Sequence, residues 1–191
     1  MLRVKTAVLI SGNGSNLQAL IDAAAAPGFP AEIALVISNK PDAYGLTRAT
    51  HAGIATHVIA HRDYPTRDAF DSAMSDVLVA QGIQLICLAG FMRILSDGFV
   101  QQWENRLINI HPSLLPKYKG LNTHQRALDA GDAQHGATVH WVIPELDAGP
   151  IILQEALAIL PGDTAETLQA RVHALEHRIY PAALAKVAAS G

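Results

Sequence analysis

The sequence predicts an α/β protein on a doubly wound, mostly parallel sheet, closed by a C-terminal strand pair and a long terminal helix. Three observations carry that prediction. Short apolar runs alternate with longer helical patterns up to Ile110, the rhythm of repeated βαβ units. Two of those runs are continuously apolar rather than alternating, as strands are when helices cover both faces of a sheet. A glycine-rich turn, Ser11-Gly12-Asn13-Gly14, stands between the first run and the first helical pattern.

In chain order, strands are expected at residues 5–11, 31–38, 56–60, 84–90 and 106–110, with helices at 16–26, 44–52 and 67–81 between them. After Ile110 the rhythm changes. Residues 111–120 hold two prolines and a glycine and read as a structured loop. A short helix is expected at 123–130, strands at 137–143 and 151–159, and a closing helix at 165–188. Asp163 reads as the N-cap of that helix, with Glu166 three residues on in the capping-box position.

The 191 residues suit one domain, 1–191, with no repeat or low-complexity linker to divide it. Half the residues are apolar and 16% are charged, which calls for a large core and argues against disorder. A net charge of −3 argues against nucleic acid as a partner, because duplex binding draws on basic patches. An anionic small ligand would have to be held by local features. Cys87, the single cysteine, lies in the apolar run Leu85-Ile86-Cys87-Leu88-Ala89 and reads as a core thiol. No secretory signal or membrane span is apparent, so a cytoplasmic location is expected; a homodimer is left open.

Glycines in the 11–17 segment let the backbone turn tightly and approach a ligand, and a helix start offers free N–H groups to an anion. An ordinary strand–helix turn with Ser15 or Asn16 as N-cap accounts equally well for the spacing. A dinucleotide site does not fit. Position 17 is Leu17 where the third glycine of G-x-G-x-x-G belongs, and the second strand ends in Ser38-Asn39-Lys40 without the acid that holds a ribose. There is no P-loop either, so a single phosphate fits better.

Leu107-Ile108-Asn109-Ile110-His111-Pro112 is an apolar strand ending in two polar side chains. Alternation puts Asn109 and His111 on one face with Cα atoms about 6.6 Å apart. In doubly wound sheets ligands gather at such C-terminal strand ends. A hydrogen-bonded structural histidine is the bland alternative. Asp147, in Glu145-Leu146-Asp147-Ala148-Gly149-Pro150, reads by itself as a turn residue. Its functional reading needs it to fold back beside His111, where a carboxylate would orient the imidazole and favour its charged form. His173-Ala174-Leu175-Glu176-His177 matches the short H-x-x-E-H zinc motif, but no third ligand follows, so no metal is expected.

Taken together these segments resemble the phosphoribosylglycinamide formyltransferases of purine biosynthesis, from Ala7 to about Pro181. The resemblance is carried by residues 9–19 (LISGNGSNLQA), 88–95 (LAGFMRIL), 109–117 (NIHPSLLPK), 120–124 (GLNTH), 145–153 (ELDAGPIIL) and 176–181 (EHRIYP). Asn-x-His-Pro-Ser and Asp-x-Gly are common to folate-dependent formyltransferases, whereas Ser-Gly-Asn-Gly-Ser-Asn is typical of the glycinamide branch. The resemblance implies a Rossmann-like formyltransferase fold, with 10-formyltetrahydrofolate as formyl donor and phosphoribosylglycinamide as acceptor. It implies catalytic roles for Asn109, His111 and Asp147, and phosphate binding by Gly14, Ser15 and Asn16. It further implies that Glu176 contacts the acceptor, and that Arg67, Met92, Arg93, Ile94, Leu95 and Asn109 contact the folate. Leu115-Pro116 matches a peptide bond that is cis in the family. Position 122, here Asn122, varies among members, some of which carry a histidine thought to assist catalysis. Whether Asn122 or His124 assists is left open.

The chemistry suits those residues. An α-amine has a pKa of roughly 7.7–8 and needs little activation near neutrality. The harder tasks are stabilising an oxyanion on the formyl carbon and moving a proton to the departing folate nitrogen. Two related acceptors compete on the same fold: water in a deformylase and charged tRNA in a methionyl-tRNA formyltransferase. Neither the extra N-terminal domain usual in the first nor the extra C-terminal domain and basic surplus of the second is apparent. A non-catalytic folate- or nucleotide-binding module would have no need of all three polar residues together.

Overall fold

The computed structural model describes residues 2–191. Its elements run β1 (Val4–Ile10), α1 (Ser15–Ala24), β2 (Ala31–Ser38), α2 (Tyr44–His51), β3 (Ala55–Val58), a 3-10 turn (His61–Asp63), α3 (Arg67–Ala80) and β4 (Leu85–Leu88). They continue with α4 (Asp97–Gln102), β5 (Leu107–His111), α5 (Thr123–Asp129), β6 (Gln134–Trp141), β7 (Ile151–Ala158) and α6 (Ala165–Ala189). The sheet order is β3-β2-β1-β4-β5-β6-β7. The first five strands are mutually parallel, and β6 and β7 add antiparallel at one edge, as the expected C-terminal strand pair.

The second half of β1, residues 7–10, shows why that run is continuously apolar. Val8 and Ile10 pack with α1 and α6 on one face, while Ala7 and Leu9 pack with α3 and α4 on the other. With both faces buried, no position is left for a polar alternate. Tyr180 of α6 is fully buried, and its hydroxyl donates to the carbonyl of Leu88 at 2.7 Å, tying the last helix to the central strand β4. Cys87 is buried in that strand, where burial pushes its thiol up to about 12. The chain winds outward from β1 through β2 to β3, then returns to β4 and β5. The order therefore reverses between β1 and β4, which opens a crevice at their C-terminal ends.

The structure departs from the sequence reading at several places. Helix α4 has no counterpart among the expected elements; Ser96 caps it, its hydroxyl accepting from Phe99 N at 3.2 Å. Helix α6 is capped by Thr164 rather than Asp163. Thr164 Oγ1 accepts from Thr167 N at 3.2 Å and Thr167 Oγ1 accepts from Thr164 N at 2.9 Å, so the capping box is shifted by one residue. Asp163 instead accepts from Leu160 N and pairs with Arg171. Strand β6 starts three residues earlier than expected because Gln134 pairs with Ala158 at the end of β7. Among the described residues, no helix is long and apolar enough to cross a membrane.

Candidate active site at the sheet crevice

β5 carries Asn109 and His111 to the crevice on one strand face, while Leu107, Ile108 and Ile110 are buried. Directly across the antiparallel pairing from Asn109 stands His140 of β6. The His140 Nδ1–H donates to the carbonyl of Trp141 at 2.9 Å, and the Asn109 amide donates to His140 Nε2 at 3.4 Å. Desolvation lowers the His140 pKa, which keeps the ring neutral and its Nε2 an acceptor. Asn109 therefore spends one amide proton on His140 and keeps the other for a ligand.

Asp147 does fold back beside His111. Its Oδ2 lies 3.5 Å from His111 Nδ1 and accepts from Gly120 N at 2.9 Å, and its Oδ1 lies 3.9 Å from His140 Nε2. The return is possible because position 149 is glycine. A Cβ there would sit 1.6 Å from the carbonyl oxygen of Trp141, so any side chain would push the loop off β6. His111 Nε2 donates to the carbonyl of Tyr118 at 2.8 Å, so both ring nitrogens face oxygen acceptors.

The glycine turn occupies the other side of the crevice. Gly14, not Ser15 or Asn16, is the N-cap of α1, with φ 77° and no side-chain cap. A Cβ on Gly14 would approach Gly45 Cα to 2.7 Å, so this close approach to α2 needs glycine. Helix α2 holds the turn by its carbonyls. Gly45 N donates to Gly12 O at 3.1 Å, and Arg48 donates from Nε to Asn13 O at 2.8 Å and from Nη2 to Asn13 Oδ1 at 2.7 Å. With those carbonyls turned to α2, the first-turn N–H groups of α1 remain without intrahelical partners. Glu176 of α6 is buried nearby; desolvation raises its carboxyl to about 7, opposed by the Asn16 amide.

Two cavities converge on the β5 end. One, of about 630 Å³, runs from Gly12–Asn16 to Asn109, His111 and Glu176. The other, of about 390 Å³, lies between the 91–95 segment and the 142–147 loop and is also lined by Asn109 and His111.

The sequence model of the family described as Formyl transferase matches residues 4–184. The chain belongs to the formyl transferase family. It is 51% identical over 174 residues to phosphoribosylglycinamide formyltransferase of Escherichia coli, covering 91% of this chain and 82% of that protein. It is 55% identical over 186 residues to the trifunctional purine biosynthetic protein adenosine-3 of Gallus gallus, covering 97% of this chain but 18% of that much longer protein. The solved phosphoribosylglycinamide formyltransferase of Brucella melitensis superposes with a TM-score of 0.95 at 53% identity, covering 98% of this chain and 97% of that one.

In this formyl transferase chain, the remaining sequence candidates fall into distinct places. Met92, Arg93, Ile94 and Leu95 line the smaller cavity, with Met92 and Ile94 exposed. Arg67 does not join them: it is the exposed first residue of α3 and lines neither cavity. Asn122 is the left-handed N-cap of α5 and lines the larger cavity. His124, also lining it, bonds through Nδ1 to His135 Nε2 at 3.1 Å, and burial pushes it down to about 4, hence neutral. His173 Nε2 lies 3.9 Å from the Glu176 carboxylate. Among the described residues no group of three or more His, Cys, Asp or Glu side chains is placed to hold a metal ion. The peptide bond Leu115-Pro116 is cis. Sequence reasoning missed His140, which no local motif marks and which only the strand register reveals.

Proposed function

We propose that this chain transfers the formyl group of 10-formyltetrahydrofolate to the amine of phosphoribosylglycinamide, in the cytoplasm, as a step of purine biosynthesis. One observation carries the reading: Asn109 and His111 line both cavities, so groups held in each would meet at those two side chains. The larger cavity offers the α1 turn for a phosphate and Glu176 for the polar remainder of the acceptor. The smaller one has apolar walls, including Leu95, Val100 and Val142, which suit the flat fused ring of the donor.

Asn109, His111 and Asp147 perform the chemistry. The free amide proton of Asn109 donates to the oxyanion that develops as the amine attacks the formyl carbon. His111 supplies the second donor from Nε2, where the formyl oxygen takes the place of the Tyr118 carbonyl. Asp147 holds the opposite edge of the ring and fixes its orientation. Attack forms the new C–N bond and collapse breaks the bond to the folate nitrogen. The amine loses one proton and the departing nitrogen gains one, a transfer in which His111 and Asp147 take part.

The test incubates the protein with 10-formyltetrahydrofolate, with and without phosphoribosylglycinamide, and follows free tetrahydrofolate. Release that depends on the acceptor is expected. Release without it points to a deformylase, and no release in either case to a binding module.

A further inference from the structure

The donor slot of the proposed reaction is bounded by an irregular segment, residues 90–96, that belongs to no helix or strand. Such a segment holds its shape only where its peptide groups are tied down. Two side chains tie it. At one end Met92 N donates to Ser11 Oγ at 2.8 Å. At the other, Ser96 N donates to Asp71 Oδ2 at 2.6 Å, while the Ser96 hydroxyl caps α4. Among the described residues, the peptide groups of Arg93, Ile94 and Leu95 between these ties make no hydrogen bond within the chain.

Both anchors are set into the core. Ser11 is 4% exposed and Asp71 2%. The hydroxyl proton of Ser11 goes to Asn39 Oδ1 at 2.5 Å, and the Asn39 amide donates in turn to His61 Nδ1 at 3.2 Å. With its proton committed, Ser11 presents a lone pair to Met92 N. Asp71 is stranger. A buried carboxylate is costly unless fully bonded, yet its Oδ1 has no partner among the described residues. The one contact its carboxylate makes is the one that fixes Ser96.

We propose that Ser11 and Asp71 are positioning residues for the formyl donor, pinning the two ends of the 92–96 segment so that its three free peptides and its apolar side chains face the donor in one arrangement. The inference rests on the reading of the smaller cavity as the donor slot. Ser11 directly precedes the phosphate turn, but that turn is held separately by Gly45 and Arg48, so the effect falls on the donor side.

The test measures kcat, both KM values and the Kd for tetrahydrofolate in Ser11→Ala, Asp71→Ala and Asp71→Asn, with melting curves to establish folding. Ser11→Ala and Asp71→Ala should raise the donor KM and the tetrahydrofolate Kd about 10-fold, the scale of one lost buried hydrogen bond. The acceptor KM and kcat should move less than about 3-fold by the same reasoning. Asp71→Asn, which keeps an acceptor for Ser96 N, should return the donor KM to within about 3-fold of wild type. Equal rises in both KM values, or an unchanged tetrahydrofolate Kd in folded Ser11→Ala, would overturn the proposal. If Asp71→Ala does not fold, Ser11→Ala decides by the same criteria. Absence of turnover in the wild type would count against the proposed function, whereas the Kd comparison bears on the anchors alone.

Discussion

Replacing Glu176 with Gln should make the protein more stable at high pH and no more stable at low pH. The Glu176 carboxyl is 4% exposed, and burial raises it to about 7 from the ordinary 4.5. At about 1.4 kcal/mol per pH unit, that difference is worth about 3 kcal/mol. Below pH 4.5 both folded and unfolded chains carry the proton, and nothing is lost. Between 4.5 and 7 the unfolded chain releases it while the folded chain keeps it, so the Glu176 contribution to stability falls as pH rises. Above 7 both states are ionised and the full penalty remains. Glutamine has no proton to lose, and the other titrating groups largely cancel when variant and wild type are compared at each pH. Urea unfolding at half-unit steps from pH 4.5 to 8 should therefore show a difference near zero at the acid end. It should grow to about 3 kcal/mol in favour of Gln at the alkaline end. The same variant should raise the acceptor KM above pH 7, where the folded protein presents a carboxylate to the substrate. A stability difference that stays flat across that range would refute the reasoning, because it would mean that burial does not hold the proton on Glu176.

Asn109→Ala, His111→Ala and Asp147→Asn should each lower kcat at least about 10²–10³-fold in folded protein. The His111→Ala/Asp147→Asn double variant should lose far less than the product of the singles, as stopped-flow kinetics would show, because the proposed mechanism has Asp147 act through His111. Gly12→Val tests the phosphate turn better than any change at Gly14. A Cβ at 12 meets open space, whereas one at 14 strikes Gly45. Gly12→Val should fold and raise the acceptor KM well beyond the donor KM, and equal rises would argue against a phosphate there. Thiol reagents should leave initial rates unchanged, because Cys87 is buried with its thiol held up to about 12; inactivation that tracks modification of Cys87 would contradict this.

What was legible in the sequence is what depends on neighbours along the chain. β1 could be read as a doubly covered strand because every residue from Ala7 to Ile10 is apolar, and the structure sends alternate ones to two separate cores. Asn109 and His111 could be placed on one face because strand alternation needs no tertiary knowledge. The capping box of α6 was missed by one residue because Asp163 and Thr164 both have side chains that can cap. The geometry shows that Asp163 is turned to Leu160 and Arg171 instead. The rest of the site is non-local. Asp147 reaches His111 because Gly149 lets its loop lie against the Trp141 carbonyl and because Asp147 itself takes a left-handed φ of 49°, features that a sequence states as an ordinary Asp-x-Gly turn.

His140 carries the point furthest. By position it is a strand histidine among several without ligand spacing, and nothing within ten residues distinguishes it. Its weight comes from the antiparallel register that sets it opposite Asn109, thirty-one residues away, and from the Trp141 carbonyl that fixes its tautomer. Register of that kind is chosen by the packing on the two faces of β6, both of them buried, since a slip of one residue would exchange them and turn His140 to the opposite face. The orientation of the Asn109 amide, and with it the direction of its free proton, is therefore decided by the packing of β6 on the sheet. The chemistry at this strand end is in that sense a consequence of sheet assembly, which is why the polar residues could be named from the sequence while their mutual aim could not.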